Sequence, residues 1–107
     1  MSMDILDLDA LDPDEGEVRS AELVANDDVL VKLFALGPGG ELSPHEHDTS
    51  TNVFHVVRGS VTVVREGEEE VVEAPGVVLH ERGQVHGARN DTDEVVAFTA
   101  NLSPMPS

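Results

Sequence analysis

Residues 39–59 read GGELSPHEHDTSTNVFHVVRG and hold three of the chain's five histidines. His45 and His47 are one residue apart. In extended backbone, positions i and i+2 project from the same face, so the two imidazoles stand side by side with Glu46 turned away. Two neutral imidazoles converging on one point suit a divalent transition metal (Fe, Zn, Ni, Mn or Cu), and a third donor from another strand would complete the set. Taken alone, the pair is weak evidence for metal and also reads as two solvated turn histidines. In the valine-rich run that follows, alternation sets His55, Val53 and Val57 on the face opposite Asn52.

Outward from this stretch the chain reads as short strands. Residues 29–36, VLVKLFAL, are apolar on both faces except at Lys32, as in a strand buried on most of its surface. Segments 52–58, 60–66, 70–73, 77–80, 85–88 and 94–102 are short, rich in valine and separated by Gly, Pro or Asn/Asp clusters. Arg58-Gly59-Ser60 and Glu66-Gly67-Glu68 are expected to form tight hairpin turns, with glycine supplying the positive φ. No helical period is sustained after residue 17. The pattern predicts an all-β domain, a sandwich or closed barrel, with the jelly roll among the candidates.

Composition narrows the function. At 107 residues the chain has room for one core, so any site lies inside that fold or at a subunit interface. Without cysteine, disulfides, thiolate metal sites and thiol catalysis are excluded. Asp and Glu number 22 against 6 Lys and Arg, for a formal net charge of -16. That balance argues against nucleic acid and against an anionic membrane surface, both of which need a basic face. The start, MSMDILDLDALDPDEGE, is acidic where a signal peptide would be basic and then apolar, so a cytoplasmic location is expected. An acidic shell with Lys32 as its only lysine resembles cytoplasmic proteins of salt-loving archaea and predicts a halophilic need for salt.

The spacing around the histidine pair is specific: Gly39, five residues, His45, one, His47, four, Asn52, six, Gly59. It resembles the first motif of the cupin superfamily in every interval, with Asn52 standing where those proteins usually carry glutamate. Gly83, His86 and Asn90 resemble the end of that superfamily's second motif, with Arg82 where proline is common. The resemblance implies a small antiparallel β-barrel of jelly-roll type over residues 28–102. Residues 1–27 would then form an acidic arm with a possible edge strand, and 103–107 a tail. It further implies that His45, His47 and His86 point into the barrel mouth as metal ligands. Asn52, a neutral amide in place of a carboxylate, would be a weak ligand or lie just behind the ion.

Two readings of function stay open. One is a metal-dependent enzyme on a small molecule, dioxygenase-like or isomerase-like; there His80 is the candidate general base, although it also reads as a packing residue, and Arg58, Arg82 or Arg89 could hold an anion. The other is a small-ligand-binding or sensing domain without turnover. Apolar residues in the mouth favour the second reading, placed polar groups the first. A purely structural metal ranks behind both, because structural sites are closed by four good donors. Unburied valines and sheet edges lead to the expectation of a homodimer.

Overall fold

Alternation in residues 52–58 is realised side chain by side chain: Asn52, Phe54 and Val56 are buried, Val53 and Val57 are partly covered, and His55 is exposed. The computed structural model describes residues 7–106 apart from Asp9; the start of the acidic arm, residues 1–6, lies outside the described residues, as does Ser107. Nine strands follow in chain order: β1 (Val18–Ala25), β2 (Leu30–Leu36), β3 (Glu41–His45), β4 (Thr51–Arg58), β5 (Ser60–Arg65), β6 (Glu68–Glu73), β7 (Gly76–His80), β8 (His86–Arg89) and β9 (Val96–Ser103). They form two antiparallel sheets, β1-β2-β9-β4-β7 and β3-β8-β5-β6, in a jelly-roll arrangement. Among the described residues there is no helix, and so none long and apolar enough to cross a membrane.

Register on the larger sheet orders the interior into rows. Phe34, Phe98, Val56 and Gly76 stand opposite one another across β2, β9, β4 and β7. One step toward the other end come Lys32, Ala100, Phe54 and Val78, and one step further Leu30, Leu102, Asn52 and His80. Phe98 and Val56 of the first row join Leu36, Val61, Val63 and Val96 in the hydrophobic core, Phe34 packs against it, and Phe54, Ala100 and Leu102 extend it into the next two rows. All three phenylalanines meet there, with Phe98 4.6 Å from Phe54 and 5.4 Å from Phe34. Burial of side chains of this size contributes about 1.5–3 kcal/mol each. The next two rows also carry Lys32, Asn52 and His80, so the polar side chains of this sheet's inner face gather toward one end of the barrel, its mouth.

Gly59 corrects one expectation. It does not turn a hairpin, because β4 pairs with β7 and β9 whereas β5 pairs with β6 and β8 in the other sheet. A hairpin needs at least two loop residues, and a single glycine at φ 72 instead carries the chain around the corner of the jelly roll. A Cβ at that corner would lie 2.7 Å from the Val96 Cγ1. The second expected turn is a true hairpin: Glu66 and Gly67 take φ 50 and 80, and β5 and β6 pair directly on either side.

Candidate functional site

Three histidines from two chain segments meet in the mouth. His45 closes β3, His86 opens β8, and the two are register partners across those strands. His47 lies just past the end of β3, so the pair is only half on a strand. A register shift between Leu42 and His45 lets β3 bulge at this point. Gly87 makes that approach feasible, since a Cβ there would lie 2.6 Å from the Leu42 carbonyl oxygen. One nitrogen from each of His45, His47 and His86 lies within 4.8 Å of the others, close enough for small side-chain rotations to converge on one ion.

Backbone carbonyls orient two of the rings. The Nδ1 of His45 sits 2.9 Å from the Ser43 carbonyl and that of His86 2.8 Å from the Gln84 carbonyl. A carbonyl only accepts, so each Nδ1 carries the proton and each Nε2 keeps its lone pair. Asn52 is buried, and its Nδ2 donates to the His86 Nε2 at 3.0 Å. Its Oδ1 is buried without any hydrogen-bond partner. An orphaned amide oxygen beside imidazole lone pairs is chemistry that a cation would satisfy, so these residues fit a bound metal.

Protonation agrees with that fit. Burial, followed by the neighbouring His45 and Lys32, holds the His47 pKa below that of an ordinary histidine. Burial also lowers the His86 pKa; the hydrogen bond to Gln84 works in the opposite direction, and His45 and His47 lower it further. Neutral imidazole is the ligating form, so both shifts favour metal over protons.

His80 lies behind this group. Its ring stacks on His86 with centroids 4.3 Å apart and planes 4° from parallel, and the Phe54 ring meets its edge at 4.5 Å. It is fully buried, and neither nitrogen has a hydrogen-bond partner. Burial above all, with help from His86, Arg65 and His45, pushes its pKa down to about 3. The structure thus sets His80 against a candidate ligand and away from the cavity wall. Asn90 is buried and braces its turn: its Nδ2 donates to the Leu36 and Glu94 carbonyls, and its Oδ1 accepts from the Thr92 backbone N–H and hydroxyl.

The mouth opens into a cavity of about 400 Å³ lined by Leu30, Lys32, Phe34, Leu42, Phe54, Ala100, Leu102 and Pro106, with His45, His47 and Asn52 at one side. Its lining includes none of Arg58, Arg82 and Arg89. Arg89 is instead spent on Glu69 and Asp91 at the protein surface. Among the described residues Lys32 is the only lysine or arginine in the wall. Reasoning from sequence did not place it there: it is the one polar residue in the strand, in phase with Leu30 and Phe34, but both faces of that strand are apolar.

Comparison with known proteins agrees with this geometry. The cupin domain model matches residues 32–101. The pectin degradation protein KdgF of Dickeya dadantii (strain 3937) is 27% identical over 62 residues, 58% of this chain and 56% of that protein. The chain therefore spans little more than half the length of that curated relative. A conserved protein of Klebsiella pneumoniae with a double-stranded β-helix domain superposes with a TM-score of 0.87 at 25% identity, over 96% of this chain and 91% of its own. KdgF from Halomonas sp. superposes with a TM-score of 0.77 at 19% identity, over 84% and 81%, a likeness of fold alone.

Proposed function

The chain belongs to the cupin family, and from that premise we propose that it binds one divalent transition metal through His45, His47 and His86 and takes up a small organic molecule beside it. The observation that carries this reading is the meeting of three imidazole nitrogens within 4.8 Å, two of them, on His45 and His47, at the wall of a mostly apolar cavity. Three good donors leave coordination positions open, and Asn52 stands at the ion's edge as a weak donor or an orienting amide. A bound metal would supply Lewis-acid polarisation or one-electron chemistry, according to its identity. The protein's own residues hold the His45 and His86 imidazoles in one tautomer, exclude water with Leu30, Phe34, Phe54 and Leu102, and favour the neutral forms of His47 and His86. In this reading His80 acts through His86 as a positioning residue; a base with a pKa near 3 is too weak to take a proton efficiently at neutral pH.

The apolar wall favours a second reading, a binding or sensing site without turnover. Apart from the candidate ligands and Lys32, the described lining offers no acid or base to move a proton. Elemental analysis of protein purified in molar KCl tests the shared premise. Near-stoichiometric metal is expected in the wild type and none in a His45→Ala/His47→Ala variant. A wild type that stays metal-free after reconstitution overturns the metal centre and leaves the binding reading alone.

A further inference from the structure

Lys32 is the only lysine of a chain with 22 acidic residues, and it lines the cavity while remaining partly exposed. Its Nζ stands 5.4 Å from the centroid of the Phe34 ring. Among the described residues no carboxylate pairs with it; ion pairs form at Arg19 and Arg89 instead. Glu22 is its register partner across β1 and β2, yet Glu22 is exposed and makes no ion pair with it. Partly exposed in an apolar wall, the Lys32 ammonium has no counter-charge among the described residues, and a carboxylate entering the cavity would supply one.

Placement within the rows says where such an anion would sit. Lys32 and Phe54 both face Ala100, one strand to either side, so at the spacing of neighbouring strands their backbones are roughly 10 Å apart. Ala100 is the small residue between them, and the cavity lies over it. Asn52 is one row further toward the mouth, beside the histidines. The cavity therefore has two polar ends, an ammonium and a histidine group, with leucine, phenylalanine and alanine between.

We propose that Lys32 is the specificity-determining residue of this site, holding the carboxylate of a small organic acid whose body lies over Ala100 and whose second oxygen faces His45, His47 and His86. The assignment rests on the metal-centred reading for the second oxygen, but not for the carboxylate. Long-range repulsion from the acidic shell opposes anion entry at low ionic strength. In molar salt that field is screened within about 3 Å, while direct contact with Lys32 persists.

The test uses 4-hydroxybenzoate and its uncharged analogue 4-hydroxybenzamide as probes, titrated in molar KCl and followed by amide chemical shifts. Wild type, Lys32→Met and Lys32→Arg are compared, each metal-free and zinc-loaded. The acid should bind wild type at least tenfold more tightly than the amide. Lys32→Arg should keep that preference, and Lys32→Met should reduce it to near unity with zinc content and melting temperature unchanged. Because Lys32 holds the carboxylate, the preference should survive in metal-free wild type. A preference retained in Lys32→Met shows that another group holds the carboxylate, one present only with zinc assigns it to the metal, and either overturns the proposal. So does a wild type without preference, including one that binds neither probe. If no variant takes up zinc, the metal centre fails while the metal-free titration still decides the role of Lys32.

Discussion

His80→Leu should stabilise the metal-free protein, and the gain should grow in acid. Both nitrogens of His80 are buried without partners, and leaving a buried polar group unsatisfied costs about 1–3 kcal/mol. Leucine of similar bulk removes that cost. It also forfeits ring contacts with His86 and Phe54, worth about 0.5–1.5 kcal/mol each. Two such nitrogens set about 2–6 kcal/mol against about 1–3 kcal/mol of ring contacts, so the expectation at neutral pH is a gain centred near about 2 kcal/mol. Proton linkage adds a second, independent readout. The folded-state pKa of His80 is pushed from 6.5 down to about 3, so between those values the unfolded chain binds more protons than the folded one. Stability conferred by neutral His80 is therefore fully present above pH 6.5 and is lost as pH falls toward 3. The slope is about 1.4 kcal/mol per pH unit. By pH 5 the wild type should have lost about 2 kcal/mol that the leucine variant keeps. Urea unfolding in molar KCl with a chelator, at pH 7.5 and pH 5, measures both effects. A variant destabilised by more than about 2 kcal/mol at pH 7.5, or one whose gap to wild type is the same at both pH values, would show that His80 has partners in solution.

Two other substitutions probe the frame around the site. Asn52→Glu places a carboxylate where the amide has an orphaned oxygen. It should tighten zinc binding by roughly tenfold or more while destabilising the metal-free protein by about 1–3 kcal/mol; competition against a chromophoric chelator measures the first and urea unfolding the second, and unchanged affinity would mean that position 52 does not reach the ion. Asn90→Asp turns a carboxylate toward the Leu36 and Glu94 carbonyls, to which the amide now donates. It should cost about 2–3 kcal/mol, a fall of roughly 10–20 °C in melting temperature, and a fall under about 3 °C would mean that the turn has other support.

Fold and metal-ligand candidates were largely legible because both are written in short-range pattern. Period-two alternation announces which side chains of residues 52–58 are buried, and glycine marks where strands end. Pairing is a long-range property, and there the reading failed. Arg58-Gly59-Ser60 looks locally like a hairpin turn, and only the partners of β4 and β5 reveal a corner between sheets. Glu41–His45 was not expected as a strand of its own, because Ser43-Pro44 breaks the apolar pattern and the segment pairs through a bulge.

The same distinction explains the site. His45 and His47 identify each other by spacing, whereas His86 reaches them through the β3–β8 register, which no local pattern contains. Lys32 is the instructive case. Its position along β2 was readable from the phase it shares with Leu30 and Phe34, and the rarity of lysine in the chain made it conspicuous. What a sequence cannot say is which face of a doubly apolar strand looks into the barrel. Leu33 and Ala35 on the opposite face are as buried as the core, so hydropathy does not choose between the two faces. The choice comes from pairing with β9, which sets Lys32 opposite Ala100 and leaves space over the smaller side chain. A cation is consequential when the residue across from it is too small to fill the gap, and that is a property of two strands read together.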